Sequence, residues 1–235
     1  MTASGPRRGR STLRSSVPQL ILAMMTIAAV AVGWVSSRPH PDVVGPEGVL
    51  VANVPDLASA STSLTGRSVD GLTCRTENHE TVNYHIHVHV AIFVDGAPER
   101  IPAGVGITSP AIVQHLSSGT FVDVGASDCL YWLHTHVADG IIHVEAPARG
   151  NFTLGEFFDV WHQPLSAHQV GPARGRVVVF INGVRWVRSP RLVPLLAQEQ
   201  IQVDVGSPVV AFQRFPFKVT GSCGEGTTSC ALPKG

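Results

Sequence analysis

The stretch Tyr131-Trp132-Leu133-His134-Thr135-His136-Val137-Ala138-Asp139-Gly140-Ile141-Ile142-His143-Val144-Glu145 reads as two short strands joined by a tight turn over residues 137–140. Asp139-Gly140 is the turn signal, because two-residue hairpin turns need positive φ angles that Asp-Gly and Asn-Gly tolerate. Side chains alternate faces along a strand, so His134 and His136 share a face. In the register this turn predicts, His134 lies near His143, His136 near Ile141 and Trp132 near Glu145. One face of one hairpin then carries His134, His136, His143 and Glu145.

A second strip precedes it, Tyr84-His85-Ile86-His87-Val88-His89-Val90. Here His85, His87 and His89 share one strand face, and Ile86, Val88 and Val90 fill the other. Of the 11 histidines, all but His40 fall between His79 and His168. Neutral imidazole is a strong ligand for zinc, copper, nickel and iron. Two histidines at i and i+2 on a strand sit roughly 6.5–7 Å apart at the backbone, so their rings can converge on one ion. His85 to His89 spans about 13 Å on the same rise, too far for all three rings to hold one ion. The candidate ligands are therefore His85, His87, His89, His134, His136, His143 and Glu145. They suffice for one site with spares or for two adjacent sites. Glu145 has three possible roles: a ligand, an acceptor that orients an imidazole N–H, or the general base if the protein is an enzyme.

Any single histidine is more simply a surface or hydrogen-bonded core residue. Six in two alternating strips point instead to a metal. His79, His115, His162 and His168 are isolated and carry no such argument. A donor set of imidazoles and one carboxylate suits zinc or copper. The three methionines, Met1, Met24 and Met25, lie far from the histidines, which disfavours a methionine-rich copper(I) carrier.

Lysine plus arginine equals aspartate plus glutamate at 17 each, so the net charge is zero and a nucleic-acid partner is disfavoured. The four cysteines, Cys74, Cys129, Cys223 and Cys230, form no CxxC pair. In an oxidising compartment they allow three connectivities, of which Cys74–Cys129 and Cys223–Cys230 are favoured. Free buried thiols and a thiolate ligand at Cys129 are the alternatives.

Residues 1–16 are polar and contain Arg7, Arg8, Arg10 and Arg14; residues 17–35 are uncharged and mainly apolar. That run is a transmembrane anchor or a signal peptide. Its length barely meets the roughly 20 residues a spanning helix needs. No clear A-x-A cleavage site precedes Ser36, so the anchor is the preferred reading. The arginines place residues 1–16 in the cytoplasm and the rest of the chain outside. A cleaved segment would leave the protein secreted. Residues 36–70, rich in Pro, Ser, Gly and Ala, read as a flexible linker with a short ordered piece near 49–54. An extracytoplasmic domain follows at 71–220, and 221–235 is a cysteine-containing tail.

Within the domain, Asp95-Gly96 and Asn182-Gly183 are hairpin turns. Gly104 and Gly106 suggest closely packed backbone. Ser109-Pro110 predicts a short helix to Leu116, Thr153-Leu154-Gly155-Glu156 is a capping box opening a core helix, and a turn or two of helix follows Pro190. Strands are predicted at 121–124, 176–181, 201–205 and 209–212. The expected fold is mainly β (α+β): an antiparallel β-sandwich or small barrel with two or three short helices, behind the N-terminal anchor.

The HxHxH strip, Ile92-Phe93-Val94-Asp95-Gly96, Ile101-Pro102-Ala103, Leu133-His134-Thr135-His136 with Gly140-Ile141-Ile142-His143-Val144-Glu145, and Phe152-Thr153-Leu154-Gly155-Glu156-Phe157-Phe158 together resemble an uncharacterised family of secreted or membrane-anchored prokaryotic proteins. The resemblance covers roughly residues 71–215 and implies an extracytoplasmic setting. Where that family carries an aspartate after the second hairpin histidine, this chain has Val137, so no acidic role transfers there. A looser likeness is to the three-histidine zinc site of the α-type carbonic anhydrases, where zinc-bound water is the reactive group. It is local chemistry only.

Three functions follow. The first is a membrane-tethered, extracytoplasmic binding protein for zinc or copper. The second is a metalloenzyme, hydrolase, lyase or oxidoreductase, with an open coordination position. The third is a structural or pH-sensing β module. No nucleophile elbow, phosphate loop or dinucleotide fingerprint is present.

Overall fold

The computed structural model describes Met1 and residues 43–44, 50–51, 54–60, 65–76, 81–108, 111–116, 119–125 and 129–217. The expected anchor at 17–35, His79, and the pair Cys223 and Cys230 lie outside the described residues. Among the described residues, no helix is long and apolar enough to cross a membrane.

In chain order the strands are β1 (Val43–Val44), β2 (Leu50–Val51), β3 (Cys74–Arg75), β4 (Tyr84–Val94), β5 (Ala97–Glu99), β6 (Ala111–Leu116), β7 (Gly119–Val124), β8 (Leu130–Tyr131), β9 (Leu133–His134) and β10 (Ile141–Ala146). Helix α1 (Leu154–Val160) follows. Then come β11 (Leu165–Ser166), β12 (Gln169–Val170), β13 (Ala173–Arg174), β14 (Val177–Ile181), β15 (Val184–Trp186), a 3-10 turn (Pro190–Leu192) and β16 (Gln200–Val205). The histidine strip is thus the first half of β4, the longest strand.

Seven strands make the main sheet, in the order β15-β14-β16-β4-β10-β9, with β5 paired to β4. β10 lies antiparallel along residues 84–89 of β4, and β5 along residues 92–94. β16 runs parallel to β4, with Gln200 opposite His89 and Val205 opposite Val94.

Alternation gives the sheet one apolar and one polar face. Val88, Val90 and Ile92 of β4, Ile142, Val144 and Ala146 of β10, Val179 of β14, and Ile201, Val203 and Val205 of β16 pack into one core with Leu154, Phe157, Phe158, Val160 and Trp161. Each such burial contributes roughly 1.5–3 kcal/mol, which is why the short α1 needs no length of its own to be stable. Its start is the expected capping box: Thr153 Oγ1 accepts from the Glu156 N–H, and Glu156 Oε2 accepts from the Thr153 N–H. Leu57 joins the same core, and Trp161 Nε1 donates to the Ser59 carbonyl at 3.0 Å. Residues 54–60, read above as linker, are therefore part of the packing.

Both hairpin turns form as the sequence predicts, with positive φ at Asp95, Gly96, Asn182 and Gly183. Other expectations are corrected. Among the described residues the sheets close no barrel, and the helical content is α1 and the 3-10 turn. The sheet is not wholly antiparallel, since β16 and β4 pair in parallel. Residues 111–116 are not a helix but β6, paired antiparallel with β7 from Ala111–Val124 to Leu116–Gly119. The β-branched pair Ile112-Val113 favours a strand, and the following apolar segment supplies the partner.

Residues 209–212 form no strand. They belong to a strap, residues 207–217, held by side chains from the polar face of β16 rather than by a backbone ladder. Gln200 Oε1 accepts from the Phe215 N–H and its Nε2 donates to the Phe215 carbonyl, both at 3.0 Å. Gln202 Nε2 donates to the Val210 carbonyl and to Asp204 Oδ2, while its Oε1 accepts from the Gln213 N–H at 2.7 Å. Asp204 Oδ1 accepts from the Val210 N–H at 2.8 Å.

Candidate metal centre

The polar face at the β4–β10–β9 end carries the histidines. Register places His134 opposite His143 and His143 opposite His87, with Glu145 opposite His85. A row of three histidines thus crosses three strands on one face, and a Glu–His pair lies in the next row. The predicted pairing of His134 with His143 is borne out, and the Glu145 N–H donates to the Trp132 carbonyl at 2.8 Å.

The connection between β9 and β10 is not the expected tight turn. It is a loop over 135–140, because Thr135 bonds to another segment. The Gly104 N–H donates to the Thr135 carbonyl and the Thr135 N–H to the Val105 carbonyl. Thr135 Oγ1 accepts from the Val105 N–H and donates to the Pro102 carbonyl. Such closeness requires Gly106: a Cβ there would lie 2.4 Å from the Leu133 carbonyl oxygen and 3.0 Å from His134 Cβ. At the loop's end, a Cβ on Gly140 would meet the Val90 carbonyl at 2.7 Å and His89 Nε2 at 2.9 Å. His136 is carried by this loop rather than by a ladder position, and its carbonyl accepts from the Val122 N–H of β7 at 2.9 Å.

Four donors converge: one ligand atom each from His134, His136, His143 and Glu145 lie within 4.8 Å of one another. His85, His87 and His143 form a second such group within the same limit. The tautomers of the first group follow from its hydrogen bonds. His134 Nδ1 lies 2.8 Å from the Tyr131 carbonyl oxygen, and His136 Nδ1 lies 2.7 Å from the Val122 carbonyl oxygen. A carbonyl oxygen only accepts, so each Nδ1 carries the hydrogen. In the neutral rings both Nε2 atoms are then bare acceptors, and they face each other at 3.1 Å. Carbonyl-anchored imidazoles with converging lone pairs are the usual arrangement around a cation.

Protonation is a poor substitute. His134 is fully buried, and burial, followed by the charges of His136 and His143, holds its pKa well below the ordinary histidine value. His136 is lowered as well, by burial first and then by the charge of His143. Glu145 goes the other way. Burial pushes its carboxyl up, but the neighbouring His143, His134 and His85 rings and the Arg75 guanidinium outweigh this and keep it ionised far below the usual range. With His134 held neutral, Arg75 is the permanent cation among these. Arg75 pairs with Glu145 Oε2. Oε1 is left to the histidines, 3.3 Å from His85 Nε2, 3.8 Å from His134 Nε2 and 3.7 Å from His143 Nδ1.

The disulfide fixes this arginine. Cys74 and Cys129 are bonded, as favoured above, which rules out Cys129 as a thiolate ligand. The bond locks β3 beside β8, with Arg75 opposite Leu130. Sequence reading missed Arg75, although its position directly after a predicted disulfide cysteine was a usable signal. It also missed Phe121, which stacks on His136 at 4.8 Å, and Phe215 of the strap.

The structure brings together His85, His87, His134, His136, His143 and Glu145, and sets His89 apart. His89 lies outside both groups, stacked on Phe215 with ring centres 3.6 Å apart. Burial pushes its pKa down to about 3. His115, His162 and His168 are exposed and join no cluster among the described residues. Comparisons with protein-family models, with curated proteins and with solved structures found no match for this chain.

Proposed function

We propose that the protein binds a transition-metal ion among His134, His136, His143 and Glu145, and that the ion is zinc or copper. The facing Nε2 atoms of His134 and His136 carry this reading: two neutral, carbonyl-anchored rings have no hydrogen to share across 3.1 Å, and a cation relieves their repulsion. Three imidazoles and one carboxylate are a borderline donor set suited to zinc or copper(II). Four protein ligands around a buried position are the pattern of a holding site rather than of one that turns over substrate.

The setting we infer is extracytoplasmic and membrane-tethered. The Cys74–Cys129 disulfide supports an oxidising compartment. The uncharged run at 17–35 behind four arginines supports an anchor. Resemblance to secreted or anchored prokaryotic proteins agrees with both.

The test is elemental analysis of the full chain, purified without a histidine affinity tag. The expected result is at least one equivalent of zinc or copper, lost on replacing His134 and His136 together with Ala and kept in His162→Ala. A chain that carries no metal, and takes up none on titration, overturns the proposal and favours the structural or pH-sensing module. Fractionation of cells, with protease added outside, tests the tether: the domain should be membrane-associated and accessible.

A further inference from the structure

His143 belongs to both ligand groups. It sits in the middle strand of three, between His134 on β9 and His87 on β4, its register partners on either side. Its ring centre lies 4.4 Å from that of His87 and 5.8 Å from that of His85. On the other side it lies 5.3 Å from that of His134 and 4.8 Å from that of His136. The His85 and His87 Nε2 atoms approach to 3.0 Å, echoing the 3.1 Å approach of the His134 and His136 pair. Two i, i+2 histidine pairs thus flank one ring that has two nitrogens.

Resting on the metal-binding reading above, we infer that the protein holds two transition-metal ions bridged by the imidazolate of His143. The inner ion takes His134, His136, Glu145 and one nitrogen of His143; the outer takes His85, His87 and the other nitrogen. When the second ion binds, the ring forms a new metal–nitrogen bond and releases its remaining N–H proton to solvent. With metal–nitrogen bonds of about 2.0–2.1 Å on each side of the ring, the ions stand roughly 6 Å apart. The imidazolate and the Glu145 carboxylate offset part of the charge of two dications. The two positions differ in exposure. His134 is fully buried, whereas the His85 side chain is 31 % exposed. The outer group contains three protein donors, so its fourth position is open to water or a small anionic ligand.

The metal-free full chain titrated with copper(II) tests this, with copper counted after desalting and paramagnetic resonance recorded at low temperature. The expected result is saturation at two equivalents. The first equivalent shows its full spin intensity, and the second lowers the total, because imidazolate-bridged copper ions couple and lose signal. Replacing His85 and His87 with Ala should stop uptake at one equivalent with full intensity. His143→Gln should remove the coupling, with near-UV circular dichroism confirming the fold. Saturation of the wild-type chain at one equivalent, or two equivalents at undiminished intensity, overturns the bridge. So does coupling that survives in His143→Gln. One equivalent lost only in the His134/His136 variant would leave the inner site standing and overturn the bridge alone. No uptake at all would overturn both.

Discussion

Two ends of the same sheet face meet water's absence in opposite ways. At the β16 end, Gln200, Gln202 and Asp204 point to the polar face, and Gln202 and Asp204 are 0 % and 1 % exposed. Their amide and carboxylate groups are matched to backbone groups of the strap, donor to acceptor. At the β9–β10 end, His134 is buried to the same degree, yet its Nε2 meets another acceptor. Burying polar groups is tolerable when each finds a partner, so the first end is explained as structure. The second end is a set of partly organised acceptors aimed at a common point. On a polar sheet face, function therefore lies not where polar groups are merely buried but where they converge without complementary hydrogens.

Crossed substitutions separate the two ends. The largest effect is expected from His134→Ala with His136→Ala, which should lower metal affinity by orders of magnitude, measured by chelator competition. The same measurement on Asp204→Ala should show unchanged affinity. Arg75→Met comes next. It leaves the His143, His134 and His85 contributions to Glu145 in place but removes the arginine that pairs with Oε2 and leaves Oε1 to the rings, and such supporting contacts are worth about 10–100-fold in affinity. The sign in pH follows. With one of the charges that hold its folded pKa down removed, Glu145 takes a proton at somewhat higher pH, so metal should leave the variant at a higher pH than it leaves the wild type. An unchanged release profile would reduce Arg75 to a packing role.

Asp204→Ala itself should act on stability alone. It strands the Val210 N–H and one hydrogen of the Gln202 amide, which costs about 1–3 kcal/mol in denaturant unfolding. If it also stripped metal, the two ends would not be independent, and the division drawn between them would fail.

The histidine end was largely readable from sequence, because its information is local. Asp139-Gly140 implied the return strand that sets His134 against His143, and alternation along that strand put His143 and Glu145 on one face, whereas His136 reaches the same group from the 135–140 loop through its bonds to Val122. Asp95-Gly96, Asn182-Gly183 and the Thr153–Glu156 box were legible for the same reason: each element is specified within a few residues. The other end was not. Nothing in Gln200 to Val205 announces a parallel partner in β4, since that pairing joins segments far apart in the chain. The strap misled because Val209 to Phe212 has strand-like composition, while its bonding partners are side chains. Ser109 to Leu116 misled because Pro and Gly can bound a helix or a hairpin strand alike. Arg75 is placed by the Cys74–Cys129 disulfide, so its role depends on a long-range pairing that its position after Cys74 only hints at.

His89 sits at the boundary and gives the finest test. By sequence it belongs with His85 and His87; in the structure it stacks on Phe215 of the strap, with burial pushing its pKa down to about 3. A histidine whose folded pKa lies below its unfolded value of about 6.5 binds fewer protons folded than unfolded. Its contribution to stability is therefore complete above about pH 6.5 and is lost as pH falls toward 3. His134 and His136 are shifted in the same direction, so the metal-free chain should weaken progressively below about pH 6.5 in denaturant titrations. Phe215→Ala separates His89 from the other two. Opening that ring to water should move its pKa back toward 6.5, read by proton resonance of the imidazole. Part of the acid sensitivity should then disappear while metal affinity stays the same. A His89 that already titrates near 6.5 in the wild-type chain would mean that the strap does not seal it. That ring would then be an open neighbour of the centre, and the boundary between the two ends would lie further along β4.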